Sequence, residues 1–419
     1  MKRDTMQKAT QPKGTGPLQK REAKLAWGML APTIISASLV VILPLLAIFW
    51  ISFKPIKLAD LRVPTPEVYE RIKGKIENPG DEAVLDLRLT NSSRQEPISN
   101  VTLQDTIPDG MTILELDPRC TLEGRNLFCE LGDWEAGYRE RLSMPFSADQ
   151  AFIDADPNPR DSVAILKGKS SSVLLDTTFT LDNFKRLFDG REFWGVIGVT
   201  LFYSVFGTIG ALVVGLFAAL LLNKSFRGQG IVRGLCLFPY VTPVIAVAFT
   251  WVTLFDPFSG SANALLLQMG VLAEPINFFG AKPQALIMVT LFEIWRYFPM
   301  SFLFILARMQ SIDTGMYEAA DMDGASPFQQ FWYLSVPQLA GILSVLFLLR
   351  FIWTFNKFDD IFLLTGGSAG TRTLTVDVYE QAFAVSNIGA GAAVAVVIFA
   401  MLVAFSVFFF KYGSQEEGL

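Results

Sequence analysis

The chain of 419 residues contains no histidine. Histidine is the commonest metal ligand and the commonest general base near neutral pH, so its absence removes the side chain behind much hydrolytic and metal chemistry. Cysteine is scarce too: three residues cannot build a disulfide-dense scaffold, and Cys236 stands alone in an apolar run. Charge is thin, with 18% Asp, Glu, Lys and Arg, against about 25% in an ordinary soluble chain. No catalytic centre and no bound metal are expected from this inventory. The net charge of −5 comes largely from one middle segment and so says little about nucleic acid, and no nucleic-acid partner is expected.

What is abundant is apolar. Hydrophobic residues make up 51% of the chain, with 36 Phe. The charges crowd into an N-terminal tail, one long middle segment and short loops, the pattern of membrane spans plus one soluble domain. Residues 1–24 carry seven Lys or Arg and read as a cytoplasmic tail. Leu25 to Phe53 is nearly free of charge. It exceeds the roughly 20 residues a spanning helix needs and the about 7–15 of a signal-peptide core, so it reads as an uncleaved first span. Five further runs qualify: Phe193 to Leu222, Ile231 to Phe255, Gln284 to Ala307, Leu339 to Leu364, and Ala382 to Phe410. Lys224, Arg227, Arg233 and Arg308 fall in the loops on the tail's side, whereas the two outward short loops hold only Lys282 and Arg372. The positive-inside rule then puts both termini, including the tail 413–419, in the cytoplasm.

The polar insert 54–179 is placed outside by the same topology. Ala83 to Thr90 alternates apolar and polar as a half-buried strand does, and Asn78-Pro79-Gly80, Asn91-Ser92-Ser93 and Pro108-Asp109-Gly110 are turn signals between similar runs. The spacing predicts a small immunoglobulin-like β-sandwich. Cys120 and Cys129 flank a turn containing Gly124 and Asn126, so a hairpin would set them opposite each other. An oxidising compartment would bond them; otherwise they are two buried thiols. Asn183 to Arg191 reads as an amphipathic stretch along the membrane surface.

Charges inside spans are costly and mark partners or cavities. Glu293 and Arg296 share one face of the fourth span, and Arg350 lies at similar depth in the fifth. Arg350 is expected to pair with Glu293, leaving Arg296 free. These groups either lock helix packing or, with Trp295 and Tyr297, line a path suited to sugar hydroxyls and sugar faces. Asn356 and Asp360, one helical turn apart, are expected to face the same cavity or to cap the span. Gly207, Gly210, Gly215, Gly389 and Gly391 are expected at close helix contacts. Pro239 and Pro243 predict a kink beside Tyr240 whose freed carbonyls face the cavity. Lys167-Gly168-Lys169-Ser170 ends like a phosphate-binding loop, but Val163 stands where its first glycine must be, so the chain is not expected to hydrolyse ATP.

Between the fourth and fifth runs lies Glu318-Ala319-Ala320, with Gly324 four residues on and Leu334-Ser335-Val336-Pro337 closing the segment. Glu318 to Asp323 reads as a short helix stopped at Gly324, with two alanines leaving one side nearly flat. This spacing resembles the coupling loop of permease subunits from ABC importers. Phe355 to Ile361, Leu364 to Gly367, Tyr379 to Phe383, Met309 to Ile312 and Leu181 to Phe184 are similar to the maltose-type sugar permeases. The resemblance covers the first span and residues 180–412, but not the insert.

It implies a polytopic α-helical membrane protein with six transmembrane helices of the type I importer permease fold. The inserted β domain would be periplasmic, the coupling loop 309–338 cytoplasmic, and the location the bacterial inner membrane. It further implies a second permease, two copies of a cytoplasmic ABC ATPase that use ATP and Mg, and a periplasmic sugar-binding protein, with no cofactor on this chain. Glu318, Ala319, Ala320, Asp323, Gly324 and Pro337 would meet the ATPase. The cargo would be a di- or oligosaccharide; a polyol, an anionic sugar or a peptide are alternatives, as is a membrane sensor with an outer ligand-binding domain.

Overall fold

The computed structural model describes residues 16–412 apart from 95, 156, 158–163 and 171–176. The tail residues 1–15 and 413–419, and Val163, lie outside them. Five described helices are long and apolar enough to cross a membrane, six if one bent pair counts as a single span. The first, α1 (Lys20–Ser52), belongs for most of its length to a unit of its own, residues 1–50; the rest of the chain forms a second unit.

Within the second unit the insert folds as two four-stranded antiparallel sheets, ordered β1-β2-β7-β4 and β5-β6-β3-β8. The strands are β1 (Pro66–Lys73), β2 (Glu82–Asn91), β3 (Ile98–Thr106), β4 (Met111–Ile113), β5 (Cys120–Glu123), β6 (Asn126–Trp134), β7 (Arg139–Ala148) and β8 (Ile165–Ser170). Alternation drives the packing: Leu85, Leu87 and Leu89 of β2 point inward with Leu103, Trp134, Met144 and Phe146, all buried. Cys120 and Cys129 are opposite each other in the β5–β6 register and are joined by a disulfide. Lys167-Gly168-Lys169-Ser170 lies in β8, paired with β3, so its backbone N–H groups belong to a sheet rather than to a phosphate cradle.

The remaining spans follow the amphipathic helix α2 (Asp182–Asp189). Its Asn183 is buried and donates to the carbonyls of Ser52 and Lys54 at 2.9 and 2.8 Å. The second span, α3 (Phe193–Leu222), has the limits its composition predicts. It lies against α6 (Gln284–Gln310) along a glycine stripe. A Cβ on Gly207 would come within 2.9 Å of Glu293 Cγ, and one on Gly215 within 2.8 Å of the Phe302 amide nitrogen. Small residues are what let two helices approach this closely.

The third run is not one kinked helix but two, α4 (Gln229–Val241) and α5 (Val244–Leu254), bent by 89°. Pro243 supplies no N–H, and the residue before a proline avoids helical geometry; Thr242 accordingly has ψ 141. After α6 come the short helix α7 (Thr314–Met322) and the fifth span, α8 (Pro327–Phe355). The expected extension of this span to Leu364 fails. Asn356 ends the helix, its side-chain amide donating to the Ile352 carbonyl, and a separate helix α9 (Asp359–Thr365) follows. The last span, α10 (Ile388–Tyr412), starts later than the expected Ala382 because Ser386 adopts φ 57. That turn is tied down: Leu58 donates to the Ser386 carbonyl, and Gly389 to that of Ile56.

Candidate functional site

Two places in this frame collect functional groups. The first is inside the bundle, where α3, α6 and α8 meet. Glu293 is fully buried and accepts three hydrogen bonds, from Arg350 at 2.6 Å, from the Thr354 hydroxyl at 2.9 Å and from the Tyr203 hydroxyl at 3.0 Å. The gap left by Gly207 is what admits this carboxylate between the helices. A buried ion pair survives only where further hydrogen bonds compensate for lost water, and Glu293 has them from the two neighbouring spans α3 and α8.

A cationic stack continues outward. The Arg350 guanidinium lies 4.7 Å from the centre of the Tyr297 ring, and Lys357 Nζ lies 4.1 Å from the same ring while donating to its hydroxyl. Asp360, also buried, sits 3.9 Å from Lys357, and neither carboxylate oxygen has a hydrogen bond among the described residues.

Arg350 and Glu293 thus pair as their depths suggested, but Arg296 is not the spare cation the sequence led us to expect. Its guanidinium donates to the Pro239 carbonyl at 3.1 Å and the Thr242 carbonyl at 3.0 Å. The acceptors freed at the break by Pro243 therefore face Arg296 rather than an open cavity. The break in the third span and the charge in the fourth are one feature, each supplying what the other lacks. Asn356 and Asp360 do not act together either. Asn356 is exposed at the end of α8 and Asp360 is buried in α9, because the chain breaks between them. Trp295 packs against Trp251, with ring centres 5.5 Å apart, and half-exposed Tyr240 has its ring centre 6.1 Å from that of Tyr297. Tyr203 and Thr354 were missed. Their only sequence signal is a polar group in an apolar run, which is common and seldom diagnostic.

The second place is α7. Asp313 caps it, accepting from the Gly315 N–H at 2.9 Å, so the helix begins at Thr314 rather than at Glu318. It ends at Asp323 because Gly324 takes φ 77. Glu318, Ala319, Asp323, Gly324 and Pro337 are exposed and Ala320 is half-buried. The opposite side is fastened to the start of α8. The Tyr317 and Ser335 hydroxyls are 2.9 Å apart, and Gln330 donates to Asp321 and to the Ala325 carbonyl. Arg308, at the end of α6, donates to the Gln338 carbonyl at 3.1 Å. The exposed helix is therefore tied to α8, which carries Arg350, and α8 is in turn tied through Arg308 to α6, which carries Glu293. Around it Met322, Phe328 and Tyr333 are 70–88% exposed, an apolar margin unusual beside so polar a helix.

Residues 211–414 match the family model described as the binding-protein-dependent transport system inner membrane component. The chain is 35% identical over 232 residues to the inner membrane ABC transporter permease protein YcjO of Escherichia coli (strain K12), a match spanning 55% of this chain and 78% of that protein. It is 32% identical to the trehalose/maltose transport system permease protein MalF of Thermococcus litoralis, over 56% of this chain and 79% of the relative. In fold it is similar to a chain from the crystal structure of a bacterial ABC transporter involved in the import of the acidic polysaccharide alginate. The TM-score there is 0.54 at 19% identity, covering 58% of this chain and 86% of that one. The sandwich lies outside the residues that the family model matches. With its membrane spans, its permease fold and relatives of this similarity, the chain belongs to the family of inner membrane components of binding-protein-dependent transport systems.

Proposed function

We propose that this chain is one half of the translocation path of an ATP-driven carbohydrate importer. A second permease completes the path, two copies of a cytoplasmic ATPase use ATP and Mg, and an extracytoplasmic binding protein delivers the sugar. The trehalose and maltose named for its relatives support the cargo class. The observation that carries the mechanism is the way exposed α7 is fastened to α8, which Arg308 in turn ties to α6.

Glu318 offers a carboxylate to a basic group on the ATPase, and Ala319 and Ala320 let that subunit's backbone approach. Asp323, Gly324 and Pro337 fix where the helix ends and where the span resumes. Closure of the ATPase pushes α7 as a rigid body, and its ties transmit the push to the spans holding Glu293, Arg350 and Tyr297. Trp295, Arg296, Tyr240, Asn356 and Asp360 are assigned to the path or its walls. Both termini and α7 lie in the cytoplasm, with the sandwich outside, where it meets the binding protein or the second permease. Glu318→Lys should leave the protein inserted and assembled while abolishing sugar uptake into proteoliposomes. Unchanged uptake would refute the coupling role.

A further inference from the structure

The outward face of the β1-β2-β7 sheet carries a concentration of positive charge that the transport reading does not use. Its strand register places Tyr69, Arg88 and Arg141 in one row across three strands, and Glu67, Thr90 and Arg139 in the next. Arg88 and Arg141 are direct cross-strand neighbours, and like charges in that position oppose pairing unless an anion lies between them. Of the nearby acids, Asp86 is occupied by Lys73 and the Ser143 hydroxyl, and Glu140 by Arg119 and Tyr138. Glu67, in the next row, is separated from Arg139 by Thr90 and makes no ion pair among the described residues. Among the described residues no acid comes within ion-pair distance of Arg88, Arg139 or Arg141, although all three are exposed.

The guanidinium groups surround a shallow cleft of about 430 Å³, bounded by Arg88, Thr90, Arg139, Glu140 and Arg141. A second hollow shares Arg88 and Thr90 and continues over Tyr69, which is 53% exposed. We infer that this face binds a carboxylate-bearing oligosaccharide. Planar guanidinium groups take carboxylates in two-point hydrogen bonds. The Tyr69 ring gives a sugar ring a face to stack on, and Thr90, beside Arg139 in the neighbouring row, offers its hydroxyl to a ring hydroxyl. A cleft of this size holds one or two sugar rings, which favours a saccharide over a flat acidic protein surface. The biological use of this site rests on the sandwich lying outside the membrane.

The test is binding of a galacturonate oligosaccharide to the detergent-solubilised full chain, which does not depend on sidedness. A neutral glucose oligosaccharide of equal length and a polyglutamate peptide serve as comparisons. The acidic sugar should bind, and increasingly weakly with salt, while the neutral one does not. Arg88→Gln and Arg141→Gln should each weaken binding roughly tenfold, the worth of one charge-assisted contact. Tyr69→Ala should weaken the sugar without affecting any residual polyglutamate binding. No binding, binding that survives Arg88→Gln with Arg139→Gln and Arg141→Gln combined, or equal binding of polyglutamate would each overturn the inference. An intact Cys120–Cys129 disulfide verifies the variants' fold. Labelling of Glu82→Cys in intact cells by an impermeant maleimide reports sidedness separately, so its failure would overturn the outside placement and not the binding result.

Discussion

Replacing Glu293 by leucine would leave the Arg350 guanidinium buried without its anion and two hydroxyls, on Tyr203 and Thr354, without their acceptor. Arg350→Met is milder, since Glu293 keeps both hydroxyl donors. Breaking a buried pair from one side costs about 3–5 kcal/mol, whereas replacing both partners by apolar groups is often neutral. Glu293→Leu should therefore fall at or above the upper end of that range and Arg350→Met near the lower end. The double variant should be more stable than Glu293→Leu alone, with a coupling of at least about 2 kcal/mol. At roughly 2–4 °C per kcal/mol for a domain of this size, Glu293→Leu should lower the unfolding temperature in detergent by about 10–20 °C and the double variant should recover most of it. The four proteins would be compared by thermal scanning with a thiol-reactive dye reporting on Cys236. Additive losses would refute the reasoning, because they would mean that Glu293 and Arg350 do not compensate each other. Recovery of stability without recovery of sugar uptake would place the pair in the transport cycle as well as in the packing.

Gly215→Ala should cost about 1–3 kcal/mol by overpacking, since its Cβ would lie 2.8 Å from the Phe302 amide nitrogen. Gly195→Ala, with nothing within 4 Å, should not destabilise; equal detergent stability of the two would remove the glycine stripe from the account. Reducing the Cys120–Cys129 bond, or replacing both residues by serine, should destabilise the sandwich by about 2–3 kcal/mol for a loop this short, read as faster proteolysis between β5 and β6. Asp117 and Glu140 are held below the usual carboxylate range chiefly by hydrogen bonds from Arg119. Their contribution is thus present above the unfolded carboxyl pKa, about 4, and is lost as pH falls through the lower folded values. An acid-active protease should cut the sandwich progressively faster below about pH 4, and Arg119→Met should remove that step.

The composition alone settles that this is a membrane protein with one polar insert, because an apolar run of spanning length has no other stable use in so charge-poor a chain. Period-two alternation likewise fixes β2, and the spacing of Glu318 and Gly324 fixes where α7 stops. These are local matters, decided by neighbouring residues, and a linear reading reaches them. Even the Glu293–Arg350 pair is legible, since two opposite charges at equal depth in apolar helices have few other partners. What a linear reading misses depends on which surfaces face each other. Arg296 seemed free because its acceptors are backbone carbonyls, and every residue has one; only the 89° break in the third span selects those of Pro239 and Thr242. Asn356 and Asp360 looked like one turn of helix until the chain broke between them. The arginines on the sandwich are scattered over two strands far apart in the chain, and only the antiparallel register brings Arg88 and Arg141 side by side. Sequence determined the elements and the side of each that avoids water. The tertiary structure decided which polar groups satisfy one another, because that is set by the geometry of contact between elements rather than by the order of residues within them.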